Sequence, residues 1–281
     1  MKRNVSFLWD TLGFDSANVS VSAETDGWPG TNLQHPQPAK AWKCPNGQGT
    51  VTVLSDEPEM VTALAIVGHN LGADSRITLR GFDSASDAEI FSEKFEVLKP
   101  VYTAGEISPC DSSPFGYPSD DDLAVLPRTT AVFFLKESLC QHKYEVHIDN
   151  GDEPFHIGRM ILAKHFSPEK NMAYNWHGTP ADESTKKNSI GGQTYASQRK
   201  RRYKYNFSLP FLAKGEVFGP MLKMHYHCGS SLPLVVCLSP DDSFISQFTS
   251  VYCTFQTVPD PACVRGGDYG YSASYSIKEY L

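Results

Sequence analysis

MVTALAIVGHNLGADSRITLRG, residues 60–81, decides the fold. Its first half, Val61 to Val67, is an apolar run of strand length broken only by Thr62, as a strand buried on both faces requires. The run stops at Gly68-His69-Asn70-Leu71-Gly72, where Gly and Asn reach left-handed backbone conformations at low cost and make a corner. Beyond it the pattern changes. Ile77 and Leu79 alternate with Arg76, Thr78 and Arg80, which gives one dry face and one wet face. Just upstream, Asn32-Leu33 to Trp42-Lys43 supplies a loop carrying a tryptophan. A buried strand, a tight corner and a half-buried strand describe a β-sandwich.

The rest of the chain agrees. Strands are expected at Val5–Leu8, Val19–Val21, Val51–Leu54, Ile90–Phe95, Thr130–Leu135, Tyr144–Ile148 and His156–Leu162. Turn-rich segments such as Asp26-Gly27-Trp28-Pro29-Gly30 and Cys44-Pro45-Asn46-Gly47 separate them. With no clear amphipathic helix among these strands, the fold class is all-β, an antiparallel sandwich or jelly roll. Residues 1–165 form this domain, with a proline-rich insertion at 99–127 that has no sustained period. Residues 166–202 are polar and read as an extended linker or wrapping segment. Residues 203–281 form a smaller β-rich C-terminal region, opened by Tyr203, Tyr205, Phe207 and Leu209 in alternation with polar residues. A short helix is expected within Leu212–Leu222 or Asp242–Phe248.

Composition narrows the function classes. A chain of 281 residues that is 40% hydrophobic and 20% charged packs an ordinary core. The net charge of −7 argues against general nucleic-acid binding, which needs a positive face. No apolar run approaches the ~20 residues that span a bilayer. Asp10 and Asp15 interrupt the first residues, so no signal peptide is expected and synthesis is placed in the cytoplasm. Seven cysteines with no CxxC pair fit free thiols better than a disulfide framework.

Few motifs carry chemistry. His225-Tyr226-His227-Cys228 holds zinc-type ligands, but read as a strand it puts Cys228 on the opposite face from the two histidines, so no metal site is assigned. Asp120-Asp121-Asp122 and Asp149-Asn150-Gly151-Asp152-Glu153 are acidic turns without the spacing of a helix-loop-helix calcium site, and a structural Ca²⁺ there has no further support. There is no nucleophile elbow, phosphate loop or dinucleotide fingerprint. No enzyme and no cofactor are expected. Trp28 and Trp42, with the polar groups Gln34, His35 and Asn46 nearby, are candidates for stacking and hydrogen-bonding a sugar, or alternatively cap the sandwich end. Arg199, Lys200, Arg201 and Arg202 with Tyr203 read as a protein-assembly interface, because Arg and Tyr are enriched there.

The ordered series Asn32-Leu33, Ala41-Trp42-Lys43, Ala63–Ile66, His69-Asn70-Leu71, Tyr144–Asp149 and Ile157-Gly158-Arg159-Met160 resembles tailed-phage tail-tip or baseplate proteins. Those proteins carry a galactose-binding-like, discoidin-type jelly roll. Gly191-Gly192-Gln193, Arg201-Arg202-Tyr203 and Phe207-Ser208-Leu209 are similar to the region that follows it, so the anchors span about residues 5–212. The resemblance implies a virion structural component in the tail, partnered by other tail proteins in a symmetric homo-oligomer. The alternative is a carbohydrate-binding adhesin module that touches a host glycan.

Overall fold

The computed structural model describes residues 4–11, 13–72, 74–83, 87–98, 130–189, 191–241 and 243–280. The insertion expected at 99–127, with Asp120-Asp121-Asp122 and Cys110, lies outside them. Two compact units divide the chain: Met1–Pro168 with Leu234–Tyr252, and Glu169–Pro233 with Cys253–Leu281.

The first unit opens with β1 (Ser6–Leu8), β2 (Asn18–Val21), β3 (Trp42–Cys44), β4 (Gln48–His69), β5 (Arg76–Phe82), β6 (Glu89–Glu96), β7 (Thr130–Asp149) and β8 (Phe155–Ala163). An antiparallel sheet runs in the order β3-β8-β4-β7-β5-β6, and β2 also pairs with β4. The all-β antiparallel class read from the sequence is the class observed. Val61–Val67 lies between two neighbours, with Leu64 opposite Phe133 of β7 and Leu162 of β8.

One difference concerns the length of β4. The sequence suggests two strands, Val51–Leu54 and Val61–Val67, broken by Asp56-Glu57-Pro58-Glu59. The structure has a single strand of 22 residues whose pairing with β7 lapses between Leu54 and Glu59. Pro58 sits in that lapse, where its missing N–H withdraws no ladder bond, so the strand passes through as a bulge. The Tyr144 hydroxyl holds the irregularity. It donates to the Glu59 carbonyl at 2.7 Å and accepts the Gln141 amide at 2.9 Å. The bent strand delivers Val51 and Val53 from one half, and Leu64 and Ile66 from the other, to one core.

The second unit contains β9 (His177–Ala181), β10 (Thr185–Asn188), β11 (Thr194–Ser197) and β12 (Arg202–Leu212). The expected linker at 166–202 therefore holds three strands. Their side chains are mostly exposed, so no hydrophobic period marks them in the sequence. Backbone pairing makes them: β10 folds on β11, and β9 lies against β12, where Gly178 leaves room for the Tyr205 ring. The chain then returns to the first unit with β13 (Leu234–Cys237), which pairs with β1. Strand β14 (Ser250–Phe255) leads back to the second unit, followed by β15 (Ala262–Cys263) and β16 (Tyr271–Glu279). There β16 pairs with β12, and Phe207 stacks on Tyr275 with centroids 5.0 Å apart.

His225-Tyr226-His227-Cys228 is helical, not extended, inside the helix Leu222–Cys228. Helical spacing buries His225 and Cys228 together with Met224 and turns Tyr226 and His227 outward. The His225 ring packs edge-on to Phe255, and its Nε2 lies 3.2 Å from the Tyr275 hydroxyl. Burial pushes the His225 imidazole down to about 4 and the Cys228 thiol up to about 12, so both are neutral core groups. The described cysteines are free thiols.

Trp42 is fully buried in the first unit, edge-on to Phe155 at 5.3 Å, with its indole N–H donating to the Ala23 carbonyl at 3.0 Å. Trp42→Ala is expected to cost about 3–5 kcal/mol, as deletion of a large buried aromatic does. A urea or thermal melt checks this.

Candidate functional site

The site follows from simple alternation on two paired strands. In β3, Trp42 and Cys44 face the core and Lys43 faces out; in β8, Phe155 and Ile157 face the core and His156 faces out. The register sets Lys43 directly opposite His156 and Trp42 opposite Ile157. Cross-strand partners lie close enough to share one environment. A lysine and a histidine therefore stand side by side on the surface, above a tryptophan on the other face.

A tight turn brings in the aromatic wall. Gly27 takes a positive φ of 76°, and Thr25 bridges Trp28. This turn lies along β3. The Thr25 amide donates to the Lys43 carbonyl at 2.9 Å, and the Lys43 amide donates to the Trp28 carbonyl at 3.3 Å. Glu24 secures the far side by accepting the Gly30 amide at 2.9 Å. Lys43 Nζ rests 3.6 Å from the centroid of the Trp28 ring. Such a cation–π contact at an exposed position is worth about 0.5–1 kcal/mol, less than the 1.5–3 kcal/mol of a hydrogen bond to a charged group. The ring holds the ammonium loosely.

The floor depends on two glycines. Gly68 closes β4 with φ of 66°, and a side chain at Gly158 of β8 would meet the Pro38 carbonyl at 2.4 Å. Without side chains, both let Pro38 settle on the sheet. The result is an open depression of about 380 Å³. Trp28 and Lys43 line one side, Pro38, Ala39 and Ala41 another, and Gly68, His69 and His156 the rest. Burial drives the His69 imidazole down to about 3, helped by His156, and its Nδ1 accepts the Leu71 amide at 3.2 Å. His156 is also held below the usual histidine range, by burial and by the Lys43 ammonium. At neutral pH both imidazoles are uncharged, and Lys43 is the charged group of the lining. No carboxylate is among the lining residues.

Of the residues expected to bind a sugar, only Trp28 belongs here. Trp42 is a core residue, because β3 turns its even positions inward. The Gln34 amide is used internally, donating to the Phe14 and Ala17 carbonyls at 2.7 and 2.8 Å. His35 pairs with Lys40 at 3.1 Å, outside the depression. Lys43, His69 and His156 also line the depression and are not among the residues the sequence singles out for sugar binding. The signal was present in Trp42-Lys43-Cys44 and Phe155-His156-Ile157, two apolar-polar-apolar triplets, but their register is set only by the fold.

In the second unit Arg199, Lys200 and Arg201 are exposed, and Arg202 pairs with Glu183 at 3.6 Å. Tyr203 stacks on Tyr205 at 6.1 Å. The acidic turn after β7 satisfies its own backbone: Asp149 accepts the Gly151 amide at 3.1 Å, and Asn150 donates to the Glu153 carbonyl at 2.9 Å. Among the described residues no group of His, Cys, Asp and Glu is placed to hold a metal ion.

No protein-family model and no curated protein sequence matches the chain. Similar solved structures include carbohydrate-binding modules and part of a Ruminococcus gnavus fucosidase. The lectin-binding domain of lectinolysin complexed with Lewis b is 10% identical, covering 56% of this chain and 98% of that one at a TM-score of 0.39. A family 32 module from C. perfringens NanJ in complex with galactose is 8% identical, covering 57% and 99% at 0.38. A fucose-binding module of Streptococcus pneumoniae is 11% identical, covering 53% and 94% at 0.36. A phage tail protein is not among these three, and the function has to be read from this chain's own residues.

The buried His69 predicts an acid-sensitive fold. Its folded value lies near 3, against an ordinary 6.5, so the unfolded chain binds the extra proton. Stability should be full above about pH 6.5 and fall toward pH 3, by at most about 1.4 kcal/mol per pH unit. His69→Gln, which keeps an acceptor for Leu71, should flatten that limb in urea melts taken from pH 7 to pH 4.

Proposed function

We propose that the first unit is a non-catalytic saccharide-binding module and that the depression beside Trp28 is its site. The observation that carries this reading is the lining itself: an indole with the Lys43 ammonium over one of its faces and the His156 imidazole opposite that lysine. Sugars are bound this way, an apolar ring face against an aromatic and hydroxyls against a few placed polar groups. Without a carboxylate in the lining, the two-carboxylate route to glycoside cleavage has no acid and no base there. The solved neighbours complexed with Lewis b and galactose concern the same ligand class. The weight rests on the depression.

A second reading is assembly into a phage tail tip, as the sequence resemblance implies. In its favour stands the exposed run Arg199–Arg201 in the second unit, next to Tyr203. In that setting the second unit would contact other tail proteins in a symmetric ring within the virion, and the first unit would meet the host glycan. The two readings are compatible.

A glycan array probed with the purified chain tests the main reading. Saccharide signal is expected, and Trp28→Ala should weaken it about tenfold, the factor that a loss of about 1.4 kcal/mol produces. An array without signal, or a signal indifferent to Trp28→Ala, overturns the assignment. Trp42 gives no such test, because its loss acts through the core.

A further inference from the structure

We infer that the depression selects an anionic saccharide, one carrying a carboxylate or a sulfate ester, through the Lys43 ammonium. This rests on the saccharide reading above and adds the charge of the ligand.

The first ground is the electrostatic state of the wall. Lys43 Nζ sits on the Trp28 ring face and forms no ion pair with a described carboxylate. In the neighbouring turn Glu24 accepts the Gly30 amide and Asp26 stands exposed at the tip, and neither forms an ion pair with Lys43. A half-buried cation whose partner is only a ring face leaves a strong donor available to an entering anion.

The second ground is position. The register places His156 opposite Lys43, so an anion drawn to the ammonium arrives beside a second ring nitrogen that can donate. Trp28 lines the same depression, so an indole is within reach of the sugar ring attached to that anion. Cation, second donor and aromatic line one open space, and the ammonium gains more from an anionic oxygen than from a neutral hydroxyl.

The test uses the full chain and three ligands that share one ring: methyl β-galactoside, the corresponding methyl galacturonide, and methyl β-galactoside 6-sulfate. Binding is followed by NMR through the Trp28 indole N–H, with the core Trp42 indole as an internal reference. The carboxylate and sulfate ligands are expected to bind at least about tenfold more tightly than the neutral one. In Lys43→Met, which keeps an apolar stem on the ring, that ratio should fall to within about twofold of one, with a thermal melt verifying the fold. A preference confined to the carboxylate or to the sulfate supports the inference and identifies the source of the charge. A wild-type ratio near one, or a preference that survives Lys43→Met, overturns it while leaving the saccharide reading standing. Failure of all three ligands and of the array together removes both.

Discussion

The first unit depends on the pairing of β4 with β7, two strands of 22 and 20 residues that bend together. A straight ladder of that length would bury one set of side chains along one face. The lapse between Leu54 and Glu59 breaks the ladder, and the Tyr144 hydroxyl bridges Glu59 to Gln141 across it. The bend is only partly buried, so leaving the Glu59 carbonyl and the Gln141 amide unpaired would cost less than the ~1–3 kcal/mol of a fully buried group, and one phenol satisfies both. Burial correspondingly raises that phenol to about 12, so it keeps its proton as a donor across the physiological range. Both halves of the strand then serve a single core, which includes Val51, Leu64, Trp42 and Phe155.

The candidate site is a consequence of this arrangement. Strand β8 joins the second half of β4, β3 joins β8, and the Trp28 turn joins β3. Each step is a backbone pairing whose register is enforced by the core. A slip of one residue would carry Trp42 to the surface and Lys43 inward, exchanging a buried aromatic for a buried charge. The core therefore fixes which side chains stand in the depression. Gly68 and Gly158 add the remaining constraint, since only residues without a Cβ admit Pro38 so close.

Legibility in the sequence followed burial. Val61–Val67 is legible because it is apolar on both faces but for Thr62, and Ile157–Leu162 because it ends in the apolar Met160-Ile161-Leu162. Trp42 drew attention for its size, but loop-like surroundings concealed that the short strand β3 turns it inward. The polar strands β9 to β11 left no hydrophobic period. Their pairing is made by backbone groups, which every residue carries, so the sequence has nothing distinctive there. The helix at Leu222–Cys228 was misread as a strand for a related reason. Short apolar-polar alternation in Met224-His225-Tyr226-His227 mimics period two, and only the joint burial of His225 and Cys228 three residues apart distinguishes the helix. Lys43 and His156 lie 113 residues apart in numbering and meet only through the register.

The same two triplets that build the core thus also build the wall of the depression, with their odd and even positions under different demands. Inward positions answer to packing, where a methylene gained or lost is felt throughout the core. Outward positions answer to solvent and ligand, where exchange of one polar residue for another usually changes stability by less than about 0.5 kcal/mol. Exchange at the outward positions Lys43 and His156 can therefore change the depression without disturbing Trp42, Cys44, Phe155 or Ile157. Trp28 is intermediate, because its carbonyl belongs to the β3 edge while its ring belongs to the site. On the saccharide reading proposed above, ligand charge would accordingly be the property most open to change, and the Trp28 wall the more fixed one.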